Sequence, residues 1–242
     1  MAQRYFAEEL TAVGFQIMKR CMSAVAPAPL AWALAAWFRL RGIVRWPLKP
    51  TYGVGDLSSG EVVPREALPP RALSRWAPLL EQLGDLGFSP LLYKIADTIG
   101  QKQQAVALFL DQPGSTIATL EWIRMRGAEG TIEKTPLELN SYAPEDPEIL
   151  TARVTKEELL LADMLKLPFV DMLMLAGHPL AAIYRRHVER THERSCYQMT
   201  SDAALQEHAK RSRRRFQWLV DQGLLRPMTE AEISHVRQMR LD

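Results

Sequence analysis

The chain has 242 residues, of which 47% are apolar and 24% charged, with a formal net charge of +2. That balance excludes wholesale disorder, and so small a charge gives no reason to expect a polyanionic partner for the molecule as a whole. Cys21 and Cys196 lie far apart and outside any CxxC pattern, so nothing supports a disulfide, and a reducing, cytoplasmic compartment is the expectation.

Met1–Leu10 carries Glu8 and Glu9 and lacks the apolar core of a secretory leader, so no cleavable signal is expected. Phe6, Leu10, Val13, Ile17 and Cys21 recur at helical spacing, with Glu8, Glu9, Gln16, Lys19 and Arg20 opposite, which predicts an amphipathic helix over Phe6–Met22. Residues 21–38 then carry no charge, between Lys19-Arg20 and Arg39-Leu40-Arg41. Eighteen helical residues extend about 27 Å, near the thickness of a bilayer's hydrocarbon layer. Trp37 and the basic flanks suit a membrane interface. Pro27 and Pro29 interrupt the run, however, and a helix from Pro29 to Arg41 is only about 20 Å long, too short to span. Three readings stay open: a hairpin packed on the body, a membrane span, and an anchor lying on the membrane surface. In the spanning reading, the basic excess after the segment (Arg39, Arg41, Arg45, Lys49) places the rest of the chain in the cytoplasm.

Residues 46–70 are rich in proline and glycine and read as a linker. The expected organisation is an N-terminal segment over 1–45, this linker, a main domain over 71–228 and a terminal helix over 229–242. Leu73, Trp76, Leu79, Leu80 and Leu83 form one stripe, predicting a helix over 71–86, with Pro78 in its early turns if Ser74 is the N-cap. Leu91–Thr98, Ala105–Asp111, Thr116–Arg126, Thr131–Tyr142 and Ile149–Val154 read as strands separated by short turns, clearest at Gln112-Pro113-Gly114 and Gly127–Gly130. Turns this short join antiparallel neighbours, since parallel pairs need long crossovers.

Helices are predicted from there on. Thr155-Lys-Glu-Glu158 is a capping box opening one that runs to about Lys166; Phe169–Ala176 is a second; Leu180–Arg194 is a third. Ser201 or Asp202 caps a fourth reaching Asp221, with Gly223 as its stop, and Thr229-Glu-Ala-Glu232 is another capping box. The fold class expected is α+β: a four- to five-stranded antiparallel sheet with a packing helix, an N-terminal helical segment and a helical C-terminal half.

A helix running into Leu86-Gly87-Phe88, a sheet ending in Leu139-Asn140-Ser141-Tyr142, a late helix with His178, and Arg215-Phe216 through Gly223-Leu224-Leu225 together resemble a set of uncharacterised bacterial proteins. The resemblance covers roughly residues 70–226. It implies one folded unit and supplies no activity.

Few residues suggest chemistry. His187, His192 and Cys196, with Glu189 and Glu193, contain metal-ligand types, but His187 and His192 are five apart and point about 140° from each other on a helix. No metal or cofactor is expected. His178, in Ala-Gly-His-Pro, is a candidate ligand-binding or basic group, and Trp122 and Tyr142 could meet it in a small-molecule pocket. His208 falls on an apolar face with Leu205, Phe216 and Leu219 and reads as a satisfied core histidine. Lys210, Arg211, Arg213, Arg214 and Arg215, with Trp218 one turn on, form a basic run of the kind that contacts single-stranded nucleic acid, phosphate or anionic lipid. Asp163 and Asp171 are candidate paired carboxylates, while Glu145, Asp146 and Glu148 read as an exposed loop. No phosphate loop, GxSxG, HExxH or calcium-loop motif is present. The favoured reading is a non-enzymatic interaction or structural protein, tethered to the cytoplasmic membrane face or to a protein partner through residues 4–41. A small-molecule module or small enzyme using His178, and nucleic-acid binding through Lys210–Arg215, are the alternatives.

Overall fold

The computed structural model describes residues 5–23, 26–44, 48–55, 59–127, 130–144, 147–155, 159, 166–192 and 194–241. The main sheet is built on the short-turned segments read from the sequence. Strands β4 (Ser89–Ile95), β6 (Lys102–Leu110), β7 (Ile117–Gly127), β9 (Leu137–Ser141) and β10 (Glu148–Val154) pair antiparallel as neighbours. Asp111 closes the β6–β7 turn: its carboxylate accepts from the backbone N–H of Ser115 (2.8 Å) and Thr116 (2.9 Å). The predicted single strand 131–142 is two strands, β8 (Gly130–Lys134) and β9, both lying along the same edge of β7. Pro136 has no N–H to give the ladder, so the strand breaks there, and only its carbonyl accepts, from Glu121 at 2.9 Å.

The sheet is larger than expected, and it is mixed. Among the described residues it has eight strands, because β3 (Glu61–Val63) adds to β4 at one edge and β11 (Val170–Ala176) to β10 at the other. The β10–β11 pair is parallel, which corrects the all-antiparallel expectation. Residues 155–169 connect them, long enough for the crossover a parallel pair requires. β11 also corrects the helix expected over 169–176. Val-Asp-Met-Leu-Met-Leu-Ala is a short apolar run whose leucines and methionines favour helix, and only the open edge of β10 decides in favour of a strand. The capping box at Thr155 falls outside the described residues beyond Thr155 itself.

Helices cover both faces of this sheet. On one face lie α3 (Pro70–Asp85) and α4 (Leu180–His192), which pack Trp76, Leu79, Leu83, Leu180 and Ile183 against Ala118, Leu120, Trp122, Leu137 and Leu139. α3 starts at Pro70 rather than near Ser74, so Pro78 is inside it. Both Ser74 and Pro78 are exposed, so the hydrogen bond that Pro78 cannot make is missing on the outer side of the helix. On the other face lies α5 (Ser201–Asp221), bringing Ala204 and Leu205 onto Leu108, Leu110, Ile117 and Tyr142. Its N-cap is Thr200, one residue before the two expected, and Gly223 follows its end at φ +71° as the predicted stop.

A second, antiparallel sheet joins the two ends of the chain. β1 (Phe6–Glu8) pairs with β12 (Leu225–Pro227) and with β2 (Tyr52–Val54), and β2 pairs with β5 (Thr98–Gly100). α6 (Glu230–Gln238) opens with the predicted capping box at Thr229 and buries Ile233 and Val236 against Tyr5, Ala7 and Met228. The amphipathic helix expected over Phe6–Met22 is therefore corrected: β1 and a 3-10 turn at Leu10–Ala12 precede α1 (Phe15–Ser23). The apolar residues at helical spacing are shared among three elements, because β1 completes a ladder with a strand more than two hundred residues away. The proline-rich stretch after it supplies β2 and β3, one to each sheet.

Candidate functional site

α2 (Ala28–Ile43) is the predicted helix starting at the prolines, and it packs antiparallel-hairpin fashion on α1. Its 16 residues extend about 24 Å, and no described helix is long and apolar enough to cross a membrane. Its orientation is unusual for a surface helix. Ala31 and Ala35 are fully buried, and Gly42 lies so close to the 3-10 turn that a Cβ there would be 2.6 Å from the Thr11 carbonyl oxygen. These small residues share the inner side with Phe38, and Ala35 packs with Val13 and Met18. The large apolar ones face solvent: Ile43 is 66% exposed, Trp32 56%, Leu30 51%, Leu40 49% and Trp37 46%. Phe15 of α1 meets the Trp32 ring edge-on at 6.3 Å and continues the apolar surface onto the neighbouring helix.

The residues proposed for a small-molecule pocket are not brought together. Trp122 is buried under α3 and α4, its indole N–H donating to Glu133 at 2.7 Å. Tyr142 is buried on the opposite face, under α5, with its hydroxyl 3.1 Å from His208 Nδ1. His178 is exposed, just before α4. An open groove of about 560 Å³ is lined by Leu86, Tyr184, Val188 and His192, and none of the three residues lines it.

The basic run divides by helical position. Arg211 is buried, bonded to Glu207 at 2.7 Å and stacked 5.6 Å from the Tyr142 ring centre. Arg214 lies 4.1 Å from the Phe169 ring centre. Arg215 turns into the protein, donating to Asn140 (2.8 Å), Glu138 (3.3 Å) and Glu148. Lys210 pairs with Glu207, Arg213 is exposed and Trp218 is half-buried. The stripe Ala204, His208, Arg211, Arg215 recurs at spacings of four, three and four, so it faces the sheet. That spacing is the signal in the sequence that these cations are not a solvated face.

Glu148 corrects the reading of 145–148 as an exposed loop; Glu145 and Asp146 lie outside the described residues. It begins β10 and is fully buried, on the same face of the strand as Leu150 and Ala152. Burial pushes its carboxyl up, against the pull of Arg215. One of its oxygens and Arg215 Nε are buried without a hydrogen-bond partner among the described residues. For Arg215, burial opposes the charge, but Glu138 and Glu148 outweigh it and hold the guanidinium above its ordinary value. Glu121, also beside this network, is pushed up to about 7 by burial and by Glu138, against Lys102 and a hydrogen bond from Gln104.

His187, the first member of the metal candidate, is drawn inward instead. It is fully buried, with Nε2 2.9 Å from Ser141 Oγ and Nδ1 2.9 Å from Thr151 Oγ1. The protons follow from the neighbours. Ser141 donates to the Ser115 carbonyl at 2.7 Å, so it accepts from His187 Nε2–H, and Thr151, which accepts from Arg190 at 2.8 Å, donates to Nδ1. Burial, then the Arg190 charge, push His187 down to about 3. A serine beside a histidine is the start of a nucleophilic site, but here both are sealed from solvent and the imidazole is far too weak a base near neutral pH. Among the described residues no group of three or more His, Cys, Asp or Glu is placed to hold a metal ion, and Glu193 lies outside them. Asp171 is engaged by Arg190 and Arg194, both at 2.8 Å, and its candidate partner Asp163 also lies outside. Against known proteins, no family model, no curated protein and no solved structure matches the chain.

Proposed function

We propose that the protein is a non-enzymatic interaction protein that attaches to a membrane surface through the α1–α2 hairpin, with its two sheets held beside the bilayer. The observation that carries this reading is the orientation of α2: Ala31, Ala35 and Gly42 inside, Leu30, Trp32, Trp37, Leu40 and Ile43 outside. A helix with large apolar residues on its outer side as well as its inner one needs an apolar partner there too. A contiguous apolar patch of this kind marks an interaction surface, and tryptophans with flanking arginines suit the headgroup boundary. At about 24 Å the helix is too short to span comfortably but can lie in the interface plane. The alternatives have less support. His178, Trp122 and Tyr142 are dispersed, and Arg211 and Arg215 are engaged inside the fold.

Flotation of the full-length protein with phospholipid vesicles tests the reading. The protein is expected to rise with the vesicles, and Trp32→Ala with Trp37→Ala is expected to keep it at the bottom while leaving the circular dichroism unchanged. A wild-type protein that stays at the bottom, or that forms a stable lipid-free dimer hiding both tryptophans from quenchers, overturns it.

A further inference from the structure

The charge pattern around the exposed face of α2 points to the kind of surface it meets. At 100° per residue, Ala31, Ala35, Phe38 and Gly42 fall together on the inner side. The outer apolar arc runs from Trp32 and Ile43 through Ala36, Leu40 and Ala33 to Trp37 and Leu30, about 160° in all. Arg39 and Arg41 lie about 20° beyond its two borders, one on each side. Arg39 is exposed and Arg41 half-buried. The surrounding sequence repeats the sign: from Leu10 to Gly55 there is no Asp or Glu, against Lys19, Arg20, Arg39, Arg41, Arg45 and Lys49. The rest of the chain offsets most of this excess, since the whole molecule is only +2.

We infer that the α2 face is selective for an anionic phospholipid surface, with Trp32, Trp37, Leu40 and Ile43 entering the acyl boundary and Arg39 and Arg41 reaching headgroup phosphates along its two edges. This rests on the membrane reading above and adds the lipid class. Long arginine stems lie along apolar surface while their guanidinium groups stay at the polar level, which is the placement the two borders provide. A neutral membrane would be met by the apolar arc alone. A negatively charged one is also attracted over about 10 Å at moderate salt, so binding should depend on ionic strength.

The test uses the full-length protein with vesicles of phosphatidylcholine alone and with about a third phosphatidylglycerol, at low and high salt, read by co-flotation and by tryptophan emission. The anionic vesicles are expected to bind more tightly and to lose that advantage in high salt. Arg39→Gln with Arg41→Gln is expected to weaken anionic binding roughly tenfold to thirtyfold, at about fivefold per arginine, with little change on neutral vesicles. Arg39→Gln alone, at an exposed position, gives the smaller effect should the double variant misfold. Equal binding to both vesicle types, or an anionic preference that survives the arginine substitutions, overturns the inference and leaves the membrane reading standing. Binding to neither vesicle removes both.

Discussion

Arg215 and Glu148 show how a charged residue in a helix can be a core residue. Arg215 reaches from α5 to the first residue of β10 and to Asn140 and Glu138 on β9. Taking one partner away leaves the other's charge in a site that water does not reach, and such a loss costs about 3–5 kcal/mol. Arg215→Met should therefore destabilise the protein by about 3 kcal/mol in urea unfolding, moderated because Glu148, already pushed up by burial, can take a proton. Arg215→Met combined with Glu148→Leu should recover most of that loss, since an apolar pair replaces an ionic one. A double variant as unstable as the single one would mean that the pair's packing, not its charge, holds α5 down.

For elements, the informative contrast is between the two faces of α2. Gly42 has no room for a side chain, because a Cβ there meets a backbone oxygen that cannot move without shifting the Thr11 turn. Gly42→Ala should cost about 1–3 kcal/mol, despite alanine being the better helix former. Leu40→Ala, on the outer arc, should cost less than Gly42→Ala, no more than about 1 kcal/mol, because about half of Leu40 is open to solvent in the folded protein. Thermal melts of both variants check this. If Leu40→Ala proved the costlier, the outer face would already be covered in solution. β11 makes a related point: Asp171 ties it to Arg190 and Arg194 of the α4 region, so the parallel edge is clamped by side chains as well as by its ladder.

The molecule as a whole should respond to pH in two opposing ways. His187 is held down to about 3 by burial and Arg190, and His208 down to about 4 by burial, then Arg215 and Lys94. An unfolded histidine titrates near 6.5. Below that pH the unfolded chain takes up protons that the folded chain refuses. The histidine contribution is thus complete above about 6.5 and is lost as pH falls toward 4 and then 3, at about 1.4 kcal/mol per pH unit for the fully buried His187. Glu121 has the opposite sign. Its carboxyl is pushed up to about 7, so its contribution is complete below the unfolded value near 4.5 and is lost as pH rises to 7. Glu121→Gln should therefore raise stability above pH 7, and the gain should vanish at about pH 4.5; urea midpoints across that range decide it. A gain of the same size at every pH would show that the titration of Glu121 is not its source. Glu121 as a residue is half-buried, so solvent screening moderates the gain.

What the sequence by itself determined was local. The α3 stripe, the antiparallel strands with their turns, the Thr229 capping box, the Gly223 stop and the proline-started α2 all follow from residues within a few positions of one another. Periodicity, capping and turn chemistry act over that range. The same reasoning found the apolar 21–38 segment as the feature most apt for interaction. Only the tertiary structure decided the matters that depend on distant partners. β1 is a strand because β12 is there to pair with it, and β11 is a strand because β10 has an open edge. Trp122 and Tyr142 fall on opposite faces because the pleat alternates and the helices divide between two sides. Whether α2 turns its alanines or its tryptophans outward was settled by the close approach at Gly42, a contact with a turn some thirty residues earlier in the chain.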